Sequence, residues 1–252
     1  MYPTITIGPL VLPSAGLVYI VGAWVALSMV ERSAKKLGLE ADATYAMAVT
    51  AVAAGFIGAR LLFVVFHWPA YQNNLIGVVW PLTGGFNFWG GMLFALSAAF
   101  LYGRARQLPL KASLDAMAPG LLVGFMVISL ADFLSGPGYG TETGFPLGIN
   151  VFGIRRHAVQ IYEILVALIA LIVWWRAYDY RQYDGQLFLM TTAVYAAGRL
   201  FVDAFRDNSP LTSNGYHIVQ IISLVVLLAC VYLLGRMATN RETRDKPTRQ
   251  NM

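Results

Sequence analysis

Several ionisable side chains of this chain stand inside apolar runs, where each costs free energy unless it is paired or used. Arg60 falls within Gly58-Ala59-Arg60, and Asp132 lies just before Gly136. His157, Gln160 and Glu163 recur every three residues and so share one helical face. Tyr195, Arg199 and Asp203 follow at i, i+4 spacing with Arg206 three residues on, and His217 precedes Gln220 at i, i+3. Arginine offers a planar fork that grips a phosphate bidentately, and imidazole accepts a proton near neutral pH. Gathered at one end of apolar helices, such groups would form a cationic pocket for a lipid with an anionic headgroup. Each also has a plainer use. Arg199 and Asp203 could form an intramembrane ion pair, and Gln160 and Glu163 could be interhelical hydrogen-bond glue. His217 could cap a helix, and His67 could sit structurally at an interface. Gly84-Gly85 and Gly90-Gly91 suit a turn and a close helix contact better than a phosphate cradle. No HExxH, CxxC or clustered acidic set is present, so neither a metal nor a cofactor is expected.

The elements that must position these groups are apolar helices. The 252 residues are 58% hydrophobic and 12% charged, with a mean hydropathy of +0.60. Soluble domains carry roughly 25% charged residues. Continuous apolar runs near the ~20 residues that span a bilayer predict an all-α, polytopic membrane protein. The expected spans are 11–30, 44–66, 87–103, 114–135, 158–175, 186–203 and 217–235. The runs do not alternate, which excludes a β-barrel. With the N-terminus outside, thirteen of the 18 Lys and Arg residues fall in cytoplasmic segments. Only Arg155, Arg156 and Arg206 fall in external loops. That bias predicts an N-out, C-in topology of seven spans. The net charge of +5 and pI near 9.4 therefore describe topology, and no nucleic-acid partner is expected. Lys35, Lys36, Lys111 and Lys246 all lie in cytoplasmic segments, so no intramembrane lysine could carry a retinal Schiff base.

Residues 1–237 are expected to form one membrane domain and 238–252 a mobile, charged cytoplasmic tail. The start, Met1-Tyr-Pro-Thr-Ile, has no cationic region or small-residue cleavage site, so no signal peptide is expected. The link 67–86 has no Lys or Arg but carries Trp68, Tyr71 and Trp80, a composition suited to an interfacial arm. The longest link, 136–156, opens with Gly136-Pro-Gly-Tyr-Gly140, through which no helix would continue. The single Cys230 reads as a packing residue.

Four blocks carry a family resemblance. They are Gly58-Ala-Arg-Leu61, Gly84-Gly-Phe-Asn-Phe-Trp-Gly-Gly91, His157-Ala-Val-Gln-Ile-Tyr-Glu163 and Tyr195-Ala-Ala-Gly-Arg-Leu-Phe-Val-Asp-Ala-Phe-Arg206. With them the chain resembles the prolipoprotein diacylglyceryl transferase family, from about Gly16 to Leu234. The resemblance implies transfer of diacylglyceryl from phosphatidylglycerol to the lipobox cysteine thiol of a prolipoprotein, in a bacterial plasma membrane. Arg60, Arg199 and Arg206 would then neutralise phosphate, and Tyr195 would orient the headgroup. Gln160, Glu163 and Asp203 would line the lipid site, and Gly140 matches a glycine where backbone could approach the lipid.

The chain also departs from the family pattern. Trp89 stands where the family has a histidine, and Ala15 where it has a tyrosine. Ser129, Asp132, Ser135 and Pro137 replace arginine, asparagine, asparagine and glutamate. The region loses up to two units of positive charge. Three functions follow: a transferase using His157 or a carboxylate as base; a transferase of another lipid or acceptor with Asp132 as base; and a catalytically silent, lipid-binding subunit of a membrane complex. Trp89 and Ser129 favour the silent subunit, whereas His157, Tyr195, Arg199 and Arg206 favour the enzymes.

Overall fold

Pro13 closes a small hairpin. Strands β1 (Thr4–Ile7) and β2 (Leu10–Pro13) pair antiparallel, with Thr4 opposite Pro13 and Ile7 opposite Leu10. The hairpin takes the first residues of the expected span 11–30, and helix α1 runs Ser14–Lys36. Lys35 and Lys36 place cations on its last turn, where the helix dipole is negative. Gly38 then adopts φ +69, and the Leu39 N–H donates to the Ala34 carbonyl at 3.0 Å, closing the helix through a left-handed residue. This computed structural model describes residues 4–245, apart from 9, 74, 80–84, 137, 147 and 152.

The remaining helices are α2 (Ala41–Phe66), the single turns α3 (Trp68–Tyr71) and α4 (Ile76–Val79), α5 (Phe88–Ala105) and α6 (Leu110–Ser135). After a second hairpin, β3 (Ile149–Val151) with β4 (Ile154–Arg156), come α7 (Val159–Ala177), α8 (Gln186–Val202) and α9 (Ile218–Asp245). Among the described residues six helical stretches are long and apolar enough to cross a membrane: α1, α2, α6, α7, α8 and α9, with α7 and α8 extended by a short turn. The chain is a mostly helical, multi-pass membrane protein. The third expected span, 87–103, is α5, whose 18 residues rise about 27 Å. It opens on Phe-Trp-Gly-Gly, carries Arg104 in its last turn and is not among those six.

Many large apolar side chains face outward, including Ile20, Val21 and Trp24 on α1 and Val225, Leu228 and Tyr232 on α9. Such faces would drive association in water and are at home against acyl chains. The tail expected from 238 is helical as far as Asp245, because α9 meets no Gly or Pro there; 246–252 lie outside the described residues.

The chain divides into two compact bodies, Met1–Ser28 with Ala118–Met252, and Met29–Met117. In the second body α2 packs along α5 through small residues. A Cβ on Gly91 would lie 3.1 Å from that of Ala59, and one on Gly58 would lie 2.3 Å from the Phe94 side chain. Gly90 and Gly91 thus make the expected close helix contact, while Gly84 lies outside the described residues. Asn87 caps α5, its side chain accepting from the Gly90 N–H at 2.8 Å.

In the first body α7 packs along α8 and α8 along α9. Leu122, Ala170 and Leu171 form a core cluster joined by Met126, Val194 and Tyr195. The long link is tied down by backbone hydrogen bonds. Thr141 N–H donates to Phe205 at 2.8 Å, His157 N–H to Thr141 at 3.0 Å, and Thr143 N–H to Arg155 at 2.9 Å. Cys230 is buried and free, as a packing residue would be.

Candidate functional site

In the first body the start of α7, the end of α8 and the later part of α6 bring one set of charges together. Glu163 is buried, 5% exposed as a side chain, and its Oε1 accepts from two arginines. Arg199 Nη1 donates to it, and so does Arg206 Nη2 at 2.9 Å. Its other oxygen, Oε2, accepts from Ser129 Oγ at 2.8 Å. Glu163 therefore holds both arginines in place, a use that neither hydrogen-bond glue nor an Arg199–Asp203 pair describes. Arg199 reaches across to α7 and leaves the carboxylate four residues later on its own chain.

Tyr195 and Asp132 belong to the same electrostatic set. Tyr195 interacts with Arg199, Glu163 and Arg206, and its ring stacks on Phe125 at 4.6 Å and 7°. Asp132 interacts with Arg206 and Glu163, and Tyr19 on α1 interacts with Asp132. The cluster thus joins Arg199 and Arg206 with Glu163 and Asp132, two charges of each sign. Gln160, one turn before Glu163, is fully buried.

Asp203 has separate partners. Its Oδ2 accepts from Ser209 Oγ at 2.8 Å and meets His217 Nδ1 at 3.2 Å, while Oδ1 is buried with no hydrogen-bond partner among the described residues. His217 closes a turn in which Thr212 N–H donates to the Tyr216 carbonyl, and its own carbonyl accepts from Ile221 N–H at the start of α9. It caps that helix with its backbone and uses its ring elsewhere.

Gly140 and His157 are packed into the long link. The Gly140 N–H donates to the His157 carbonyl at 3.1 Å, and its own carbonyl accepts from Arg156 Nη1 at 3.2 Å. A Cβ there would lie 2.6 Å from the His157 carbonyl oxygen and 2.7 Å from that of Phe205. Protein backbone lies against Gly140 closely enough that only glycine fits there. The His157 ring meets Tyr162 OH at 3.2 Å and lies 4.9 Å from the Phe205 ring.

In the second body Arg60 is buried with its fork on main chain. Nε donates to the Val78 carbonyl and Nη1 to that of Gly85, both at 3.1 Å, and Nη2 donates to that of Gly77. The rings of Phe63, Tyr71 and Phe86 lie 6.0, 5.3 and 5.9 Å from Cζ. Arg60 holds the segment carrying α4 against α2. Trp89 is largely exposed in the first turn of α5.

Sequence reasoning does not assign Ser129, Ser209 or Tyr19 to these sites. Ser129 is visible only as a replacement for arginine. Ser209 follows Asp203 by six residues in irregular chain, where no periodicity points to it. Tyr19 carries a usable signal, since it stands one helical turn after Ala15.

Comparison with known proteins places the whole chain in one family. Residues 3–236 match the model of the prolipoprotein diacylglyceryl transferase family. A phosphatidylglycerol–prolipoprotein diacylglyceryl transferase of Clostridioides difficile is 27% identical over 83% of this chain and 86% of its own. One from Rhodococcus jostii is 28% identical over 94% of this chain and 73% of its own. One from Mycobacterium leprae is 30% identical, covering 90% and 78%. A match running from the N-terminal hairpin into α9 leaves no part of the bundle to another origin, and the chain belongs to the prolipoprotein diacylglyceryl transferase family.

Proposed function

We propose that this protein moves diacylglyceryl from phosphatidylglycerol to the cysteine thiol of a prolipoprotein in a bacterial plasma membrane. Its topology is then N-out and C-in, with α5 as the third of seven spans, 1–237 as the membrane domain and 238–252 as a cytoplasmic tail. The relatives' names support donor and acceptor. The observation that carries the reading is the convergence of Arg199 and Arg206 on one buried carboxylate oxygen. A guanidinium pair preset at an apolar helix end can pass from Glu163 to the phosphate as the C–O bond to diacylglyceryl breaks. Charge then develops on the leaving glycerol phosphate, where Arg199 and Arg206 receive it. Tyr195 faces the same set and can orient the headgroup.

A second reading rests on Asp132. With Glu163 it balances both arginines, so the cluster attracts an anionic headgroup less than an asparagine and an extra arginine would. That favours a different lipid or acceptor, or a lipid-binding subunit of a membrane complex. The test is a transfer assay with purified protein, acyl-labelled phosphatidylglycerol vesicles and a lipobox peptide. A peptide that gains the label supports the transferase. An unlabelled peptide beside an active control enzyme overturns it in favour of the second reading.

A further inference from the structure

A thiol acceptor must lose its proton, and the Trp89 indole in the Gly84–Gly91 block accepts none. The chain has three histidines. His67 meets the Phe63 carbonyl through Nδ1 at 2.8 Å and stacks on that ring at 4.2 Å. His157 meets a tyrosine hydroxyl and packs against Phe205. Among the described residues only His217 faces a carboxylate, and that carboxylate, Asp203, is fully buried.

We infer that His217, held by Asp203, is the proton acceptor for the substrate thiol, an inference that rests on the transferase reading. In the inferred dyad Nδ1 donates to the Asp203 carboxylate, which leaves Nε2 with the lone pair that would take the thiol proton. The Ser209 hydroxyl donates to the same oxygen and fixes the carboxylate against rotation. The ring is 30% exposed while its partner is fully enclosed, which gives an oriented base with an accessible edge. The dyad adjoins the arginine cluster along the chain. Asp203 stands one turn after Arg199, and the Arg206 N–H donates to the Asp203 carbonyl at 3.1 Å.

The step balances without a further reactant. The cysteine S–H proton passes to His217 Nε2, and sulfur bonds to the terminal glyceryl carbon. The C–O bond to phosphate breaks, its electron pair leaving on the phosphate oxygen, and His217 returns its proton to water at its exposed edge. His217 is catalytic in this scheme, and Asp203 and Ser209 are positioning residues.

The experiment compares wild type, His217→Gln and Asp203→Asn as full-length proteins with two lipobox peptides, one carrying cysteine and one selenocysteine. A selenol is far more acidic than a thiol and reaches the site already ionised. With the cysteine peptide, loss of a positioned base lowers the rate about 100-fold or more. With the selenocysteine peptide, both variants work within a few-fold of wild type. A variant equally impaired with both peptides, or unimpaired with cysteine, overturns the assignment while leaving the transferase standing. An inactive wild type with both peptides overturns the transferase reading and this inference together.

Discussion

The carboxylate of Glu163 accepts from the Arg206 guanidinium at 2.9 Å, joining the second turn of α7 to the chain just beyond α8. The same oxygen takes Arg199, so a single acid orients both cations. Removing it leaves two mostly buried charges without their partner.

Glu163→Gln is therefore expected to destabilise the protein by about 3 kcal/mol, the usual loss when one member of a buried ion pair is removed. Thermal unfolding in detergent micelles measures it. An unchanged midpoint would show that the arginines find other partners at no cost.

Arg60 predicts a local effect in the other body. Arg60→Ala removes three charge-assisted hydrogen bonds to the carbonyls of Gly77, Val78 and Gly85. Each is worth roughly 1.5–3 kcal/mol to the segment it holds. Limited proteolysis should then cut within 72–87 much faster than in wild type. Arg60→Lys should rescue little, because an ammonium cannot serve three carbonyls in a planar fan. Equal cutting of wild type and variants would refute the role.

The helix contact between α2 and α5 is testable by volume. On Gly58 a new methyl would lie 2.3 Å from Phe94, and overpacking of this kind costs about 1–3 kcal/mol. A methyl on Gly144 would meet no atom of the described residues within 4 Å, and its φ is not positive, so Gly144→Ala should stay within about 0.5 kcal/mol of wild type. Similar midpoints for Gly58→Ala and Gly144→Ala would remove the packing argument.

Lipid retention reports on the cluster charge. Arg199→Ala should lower co-purified anionic lipid, and Asp132→Asn should raise it by removing one negative charge beside Arg206. Native mass spectrometry of the purified proteins reads both. Lipid content indifferent to both changes would mean that the headgroup binds elsewhere.

The helices are legible in the sequence because a membrane span has a length and composition that few other structures share. From 44–66 onward each expected span falls on one helix, and the small-residue contact at Gly90 and Gly91 is legible too. The N-terminal hairpin is not, since the apolar residues ahead of Ser14 read equally well as the start of a span. The tail from 238 reads as loose chain because it is polar, yet a long helix above it continues wherever no residue stops it.

The sequence by itself determined which residues are costly in a membrane and therefore which side chains need partners: Glu163, Arg199, Asp203 and His217 stand out on type alone. Tertiary structure alone decided who pairs with whom. Helical spacing offered Arg199 the carboxylate of Asp203 four residues on, but α7 packed on α8 presents Glu163 to it, and Asp203 turns to Ser209 and His217 instead. Gly140 and Arg60 follow the same rule, their polar contacts going to backbone that only the folded links bring near. Periodicity describes one helix at a time, whereas an ion pair or a hydrogen bond depends on how two elements approach. That approach is set by packing at the scale of a single methyl group, as Gly58 against Phe94 shows.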